Sequence, residues 1–171
     1  YSSSDRCINI AAGQVESLRI NNDLENTVRV YDGGNIGVEG KQGNADFDQM
    51  TEAAKAKLAQ NIAYPETHDE PLVMHVDTTA DIMSTHDFVP YTQKLLARLG
   101  AENPKFLFSN KVQLNSSEAT FSDSDGRDLS YKGNQYLVAL AIKYKGSANI
   151  MDEFYSAESD YYNEDEICAD V

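Results

Sequence analysis

Thr27-Val28-Arg29-Val30-Tyr31-Asp32-Gly33-Gly34-Asn35-Ile36-Gly37-Val38-Glu39-Gly40 reads TVRVYDGGNIGVEG, with four glycines in its last eight residues. A loop that cradles phosphate has this density, because its backbone N–H groups must converge on an anion. The spacing argues against that reading. Gly33, Gly34, Gly37 and Gly40 match neither G-x-x-x-x-G-K-[ST] nor G-x-G-x-x-G. The segment also passes from one strand pattern to another, whereas both motifs open a helix. A β-hairpin explains it instead. Asp32-Gly33 or Gly33-Gly34 at the apex supplies the positive φ angles that a primed or bulged turn demands. Gly37 within the returning strand then marks a bulge or the close approach of another backbone.

Working outward, the 171 residues suffice for one good core or at most two small ones. Hydrophobic residues make up 41% and charged residues 25%, which places the chain among ordinary globular proteins. No apolar run approaches the roughly 20 residues of a membrane-spanning helix, so no membrane partner is expected. The start, YSSSDRCINI, lacks the basic and apolar regions of a secretory signal and has no initiator Met. A processed chain or a piece of a longer one is the expectation. The formal net charge of −14 argues against direct nucleic-acid binding, which relies on clustered Lys and Arg. Eight acidic residues and no Lys or Arg lie between Asp152 and Asp170. They read as a solvated face, or as carboxylates that steer a cationic ligand. Cys7 and Cys168 stand near opposite ends of the chain and make a poor disulfide framework, so a reducing compartment, the cytoplasm, is expected.

The first forty residues follow a period near two. Arg6–Ile10, Val15–Ile20 and Thr27–Tyr31 read as three strands of a meander, separated by Ala12-Gly13-Gln14 and by Asn21-Asn22-Asp23. From Asp46 the period changes. Phe47, Met50, Ala54, Leu58 and Ile62 predict an amphipathic helix of about four turns, opened by Asp46 with Gln49 and ending before Pro65. Pro71–Val76 is a short strand candidate. Asp87 as N-cap, Pro90 in the first turn and Gly100 as C-cap frame a second helix with the stripe Tyr91, Leu95, Leu96 and Leu99. Strands follow over Lys105–Leu114, Glu118–Ser122, Asp128–Tyr131, Gln135–Tyr144 and Ile150–Ser156, and Asn163-Glu164-Asp165-Glu166 opens a further helix. The pattern predicts an α+β fold: a mainly antiparallel sheet with two helices packed on one face, a two-layer sandwich.

Residues able to carry chemistry are few. His68, His75 and His86 fall in one polar connection with Asp69, Glu70, Asp77, Asp81 and Asp87. His75 and Asp77 share a strand face and offer two metal ligands, yet the spacing fits no established metal pattern and a surface connection explains it equally. Asp123-Ser124-Asp125-Gly126 lacks the correctly placed Gly and Glu of a calcium loop and reads as a turn. Tyr155, Tyr161 and Tyr162 among carboxylates suit either peptide binding or amphipathic packing. Neither cysteine has a histidine nearby in sequence, and G-x-S-x-G is absent. No catalytic or metal-binding residue is assigned.

Four segments together carry a resemblance: Ile8–Ser17, Thr27–Val38, the alanine-rich stretch Phe47–Ala63 with Ala53, Ala54, Ala56 and Ala59, and the turn Asp123–Gly126. Their order is similar to the N-terminal domain of the TldD/PmbA proteins, once called modulators of DNA gyrase and understood as metallopeptidases. Asp123 departs from the asparagine of the family's turn. The resemblance spans about Arg6 to Tyr162 and implies a single α+β domain over residues 1–162. Residues 163–171 would then begin a helix leading into an absent C-terminal part. It further implies a non-catalytic scaffold for peptide or protein substrate and for homo- or hetero-oligomeric subunit pairing. Zinc would sit in the missing part of a TldD-type parent, because the family's H-E-x-x-x-H motif does not occur here. Two other readings stand beside this one: a free-standing acidic α+β module that binds a protein or small ligand, and a metal hydrolase built on the stretch from His68 to Asp87.

Overall fold

The glycine-rich stretch is a two-residue hairpin. Strand β2 (Gln14–Asp32) turns into β3 (Asn35–Gln42), with antiparallel register from Glu25↔Gln42 to Asp32↔Asn35. Gly33 and Gly34 adopt φ of 56° and 76°, so both central residues are left-handed, as a type I′ turn requires. Gly37 is the close approach. A Cβ built there would lie 2.0 Å from the carbonyl oxygen of Ala54, a fully buried residue of helix α1 (Phe47–Lys57). Only a residue without a side chain lets the helix backbone settle on the strand.

The computed structural model describes residues 1–65, 70–79 and 83–171. Along the chain the elements are β1 (Ser2–Ala11), β2, β3, α1, β4 (Val73–Asp77), α2 (Thr85–Glu102), β5 (Phe106–Ser122), β6 (Asp128–Tyr144), β7 (Glu153–Ser159) and α3 (Glu164–Asp170). A seven-stranded, mainly antiparallel sheet runs in the order β3-β2-β1-β5-β6-β4, and β7 pairs with β6. The predicted α+β class and antiparallel sheet are therefore present, with α3 as a third helix. No helix among the described residues is long and apolar enough to cross a membrane.

Packing divides the chain into two compact units: Tyr1–Ser3 with Asn22–Val76 and Glu118–Tyr131, and Ser4–Asn21 with Asp77–Ser117 and Lys132–Val171. The sequence predicts separate strands on either side of Asn21-Asn22-Asp23, of Asn115-Ser116-Ser117 and of Lys132-Gly133-Asn134. The structure corrects this, because β2, β5 and β6 each run through their polar stretch unbroken. Each stretch is where the strand leaves the residues of one unit and enters those of the other. None of these residues, Gly133 included, takes up a turn conformation: all lie within strands and no positive φ occurs among them. Backbone pairing holds them extended; at the first, Tyr1 and Glu25 exchange hydrogen bonds of 2.8 and 2.9 Å. Strand propensity is weak against such pairing.

In the first unit, Asp46 caps α1 as predicted, its Oδ1 accepting the Gln49 N–H at 3.1 Å. Met50 and Ala54 form the buried face. The helix is shorter than the sequence suggests. It tightens to a 3₁₀ turn at Leu58–Gln60, and Asn61 at φ 52° ends it. The hairpin then captures the following backbone: Ile36 N–H bonds to Ile62 C=O at 2.9 Å and Tyr64 N–H to Gly34 C=O at 2.8 Å. Phe47 and Ile62, predicted on the buried stripe, are therefore exposed. Asp123–Gly126 is the predicted turn. Asp123 Oδ1 accepts the N–H groups of Asp125 and Arg127, both at 3.0 Å, and Oδ2 accepts Arg127 Nε at 2.5 Å.

The second unit holds the large core. Ile8 and Ile10 of β1, Phe108, Val112 and Leu114 of β5, and Tyr136, Val138, Leu140 and Ile142 of β6 pack with Phe88, Leu95, Leu96 and Leu99 of α2. The predicted frame of α2 shifts at both ends. Ser84, not Asp87, is the N-cap, with Ser84 Oγ accepting the Asp87 N–H at 3.1 Å and donating to Asp87 Oδ2 at 2.5 Å. Gly100 stays helical, and the helix continues to Glu102, which accepts from Arg98 Nε at 2.8 Å. Tyr91 leaves the predicted stripe and is exposed, while Phe88 takes a core position. β7 begins three residues later than predicted, because Asp152 is occupied in the preceding turn by Ser147, Asn149 and the Tyr144 N–H.

The two kinds of glycine separate in a stability test. Gly37→Ala forces a methyl into the Ala54 carbonyl and should cost about 3 kcal/mol in urea unfolding. Gly100→Ala meets nothing within 4 Å, and should stabilise by about 0.5–1 kcal/mol.

Candidate functional site

Of the residues that suggested a metal, His68, Asp69 and Asp81 lie outside the described residues. His75 places Nδ1 2.8 Å from the Ser130 hydroxyl, and its Nε2 is 4.0 Å from an Asp128 carboxylate oxygen. Asp77 Oδ1 accepts the Thr79 hydroxyl at 2.5 Å and the Thr79 N–H at 2.9 Å, which hold its carboxyl below the usual range. Glu70 and His86 are exposed, and Asp87 belongs to the cap of α2. Among the described residues no three His, Cys, Asp or Glu side chains converge as metal ligands. Cys7 and Cys168 are both free thiols, Cys7 buried, and burial pushes the Cys168 thiol up, which lowers its thiolate fraction.

The tyrosines behave differently. In the second unit, the register Tyr136↔Ser159, Val138↔Ala157 and Leu140↔Tyr155 sets alternate residues of β6 and β7 on one face. Asn163 opens α3 beside that face, its Oδ1 accepting the N–H groups of Asp165 at 3.1 Å and Glu166 at 3.3 Å. Ile167 is the buried anchor of the helix. Arg98 of α2 fixes the helix from the other side, with NH1 2.5 Å from Asp165 Oδ1 and 3.3 Å from Glu164 Oε1, and Lys94 Nζ lies 3.1 Å from Glu164 Oε2. Between β6, β7 and α3 remains a cavity of about 250 Å³ lined by Tyr136, Tyr155, Tyr161 and Tyr162 together with Glu158, Glu166 and Asp170.

The electrostatics of the cavity follow from this wall. Tyr161 donates to Glu166 Oε2 at 3.2 Å, and the charge of that carboxylate holds its hydroxyl above the usual tyrosine range. Burial, then the charge of Asp170, raises Tyr155. Tyr162 is raised furthest, by burial and then by Glu164. Its hydroxyl oxygen is buried with no hydrogen-bond partner among the described residues. Its ring stands 5.8 Å from Tyr91, edge-on, and 6.2 Å from Tyr136. Tyr155, Tyr161, Tyr162 and the acidic run were legible in the sequence. Tyr136 was not, because it joins them only through the β6–β7 register.

No family model matches this sequence, and no curated protein does. Solved structures do. TldE from Thermococcus kodakarensis matches at TM-score 0.66 over 99% of this chain and 41% of its own, with 13% identity. This chain has the fold of part of TldE. A proposed modulator of DNA gyrase from Thermotoga maritima matches at TM-score 0.63 over 98% of this chain and 40% of its own, with 13% identity. Another, from Bacteroides thetaiotaomicron, matches at 0.60 over 94% and 39%, with 12% identity. The chain thus spans about two fifths of the length of the structures it matches. At such identity the likeness concerns the fold, and at that level the resemblance to TldD/PmbA proteins read from the order of segments is borne out.

A hydroxyl with no partner gives nothing up when it is removed. Tyr162→Phe should leave stability at neutral pH unchanged or raised by up to about 1 kcal/mol. In the unsubstituted protein, burial opposes ionisation of this hydroxyl, so relative to neutral pH stability is fully present below the unfolded tyrosine value near 10 and is lost as pH rises from there through the folded value. Unfolding followed between pH 9 and 12 should show a steeper alkaline loss in the parent than in Tyr162→Phe.

Proposed function

We propose that this chain is a TldD/PmbA-type domain that carries no catalytic group of its own and scaffolds peptide substrate and subunit pairing for a zinc metallopeptidase. One observation carries the reading: 94–99% of the chain is accounted for by the fold of proteins more than twice its length. A free-standing binding module does not call for that match. H-E-x-x-x-H is missing from the sequence, and among the described residues no three ligands converge, which supports placing zinc outside this chain in this reading. Any metal would be held by a different segment or subunit.

Two surfaces support the scaffold role, each within its own unit. In the second, β7 pairs with β6 and with no other strand among the described residues, so its outer edge can accept an extended peptide. In the first, Leu72, Val73 and Met74 at β4 are 49%, 68% and 50% exposed, a run of apolar side chains suited to a subunit contact. Cytoplasmic residence belongs to the same reading, and two free thiols fit it.

The test is co-purification from the source cells. The protein at its full natural length should come down with, or itself contain, a segment bearing H-E-x-x-x-H, and peptide hydrolysis should require that segment. Val73→Glu should weaken subunit association about tenfold, ~1.4 kcal/mol, in sedimentation velocity. Chelator-sensitive hydrolysis by residues 1–171 alone would sink the scaffold role, and association unchanged by Val73→Glu would remove β4 from the contact.

A further inference from the structure

We infer that the cavity between β7 and α3 seats the cationic head of a lysine or arginine side chain, carried by a peptide that adds as a strand to the outer edge of β7. The inference rests on the scaffold reading above and names its substrate class, basic peptide segments.

Size sets the first limit. About 250 Å³ is below the roughly 300–1,000 Å³ of pockets for drug-sized ligands, so one side chain fits better than a whole cofactor. The walls set the chemistry. Tyr136, Tyr155, Tyr161 and Tyr162 line the cavity, and tyrosine faces attract ammonium and guanidinium groups through the ring quadrupole. Tyr162 adds a buried hydroxyl oxygen that accepts nothing among the described residues.

Charge selects the sign of the occupant. The carboxylates on α3 divide into two sets. Glu164 and Asp165 are neutralised by Lys94 and Arg98. Glu166 and Asp170 line the cavity, and neither forms an ion pair among the described residues. Glu158 turns its carboxylate to the other face of β7, where it accepts from Gln135 Nε2 at 3.1 Å. Acidic residues on an edge strand also guard against strand pairing between molecules. That accounts for Glu153 and Glu158 on β7, but not for two carboxylates on a helix at a tyrosine-lined cavity. Of these, Glu166 is held by the Tyr161 hydroxyl, and neither is balanced by a Lys or Arg among the described residues.

The edge provides the delivery. Phe154 N–H bonds to the Glu153 carboxylate at 3.0 Å, so it points away from β6. By alternation the N–H groups of Ser156 and Glu158 point outward as well. A strand laid there would gain main-chain hydrogen bonds, and every second side chain would project to the α3 side.

The test uses fluorescence anisotropy on the full-length protein with the labelled probe Val-Thr-Lys-Thr-Val and two counterparts carrying norleucine or glutamate at the centre. The lysine probe should bind at least tenfold tighter than the norleucine probe, and the glutamate probe weaker still. Glu166→Gln with Asp170→Asn should abolish the lysine advantage, whereas Ser156→Pro should lower binding of lysine and norleucine probes together. A lysine probe N-methylated at alternate amides repeats the edge test without altering the protein. Equal binding of lysine and norleucine probes, or an advantage that survives the double substitution, would overturn the cation site and leave the scaffold reading standing. Binding indifferent both to Ser156→Pro and to N-methylation would instead remove strand addition, and with it the peptide half of the scaffold reading.

Discussion

The missing side chain at Gly37 governs the first unit. With 2.0 Å between a hypothetical Cβ and the Ala54 carbonyl oxygen, strand and helix meet backbone to backbone. That contact fixes where α1 lies on β3, and Lys57 then reinforces it, its Nζ donating to Val38 C=O at 2.9 Å and pairing with Glu39 Oε2 at 2.6 Å. The position of α1 in turn ends the helix early, because the residues after Asn61 are drawn into pairing with the hairpin turn. A glycine pattern that first suggests an anion cradle is therefore a packing device. Its chemistry is steric, and it acts through what it omits.

The second unit is organised differently. Its core is a conventional sheet-on-helix contact between large aliphatic and aromatic side chains, and this burial dominates its stability. The polar groups contribute position. Arg98 ties α2 to the first turn of α3 through Glu164 and Asp165, which neutralises one flank of that helix. The other flank is left with Glu166 and Asp170 facing four tyrosines. This asymmetry sets the cavity apart from the rest of an acidic surface, because here the carboxylates, though exposed, stand beside tyrosine rings with no Lys or Arg paired to them among the described residues.

A fold shared with proteins more than twice as long frames both features. A unit that exposes apolar side chains on a short strand and a unit that leaves a strand edge open beside an acidic pocket are surfaces in want of partners. On the scaffold reading proposed above, they would serve contacts with a catalytic segment.

The sequence alone determined the elements whose signals are local. Hairpin glycines, the Asp46 and Asn163 caps, the period of α1 and α2, and the turn at Asp123–Gly126 were all legible, because each rests on a conformational preference acting within a few residues. It also singled out Tyr155, Tyr161 and Tyr162 among carboxylates, as suited either to peptide binding or to packing, without assigning a site to them. Tertiary structure decided the rest. Asn21-Asn22-Asp23 looks like a turn and is strand, because hydrogen bonds from distant residues hold it extended. Gly100 looks like a helix end and is not: the helix runs on to Glu102 and ends at Asn103, whose N–H still bonds to Leu99 C=O. Tyr136 entered the cavity through pairing with residues some twenty positions away, and the cavity carboxylates became distinct only when Arg98 and Lys94 engaged their neighbours. Local propensity writes the elements, whereas register and long-range pairing, which no short window contains, decide what they bring together.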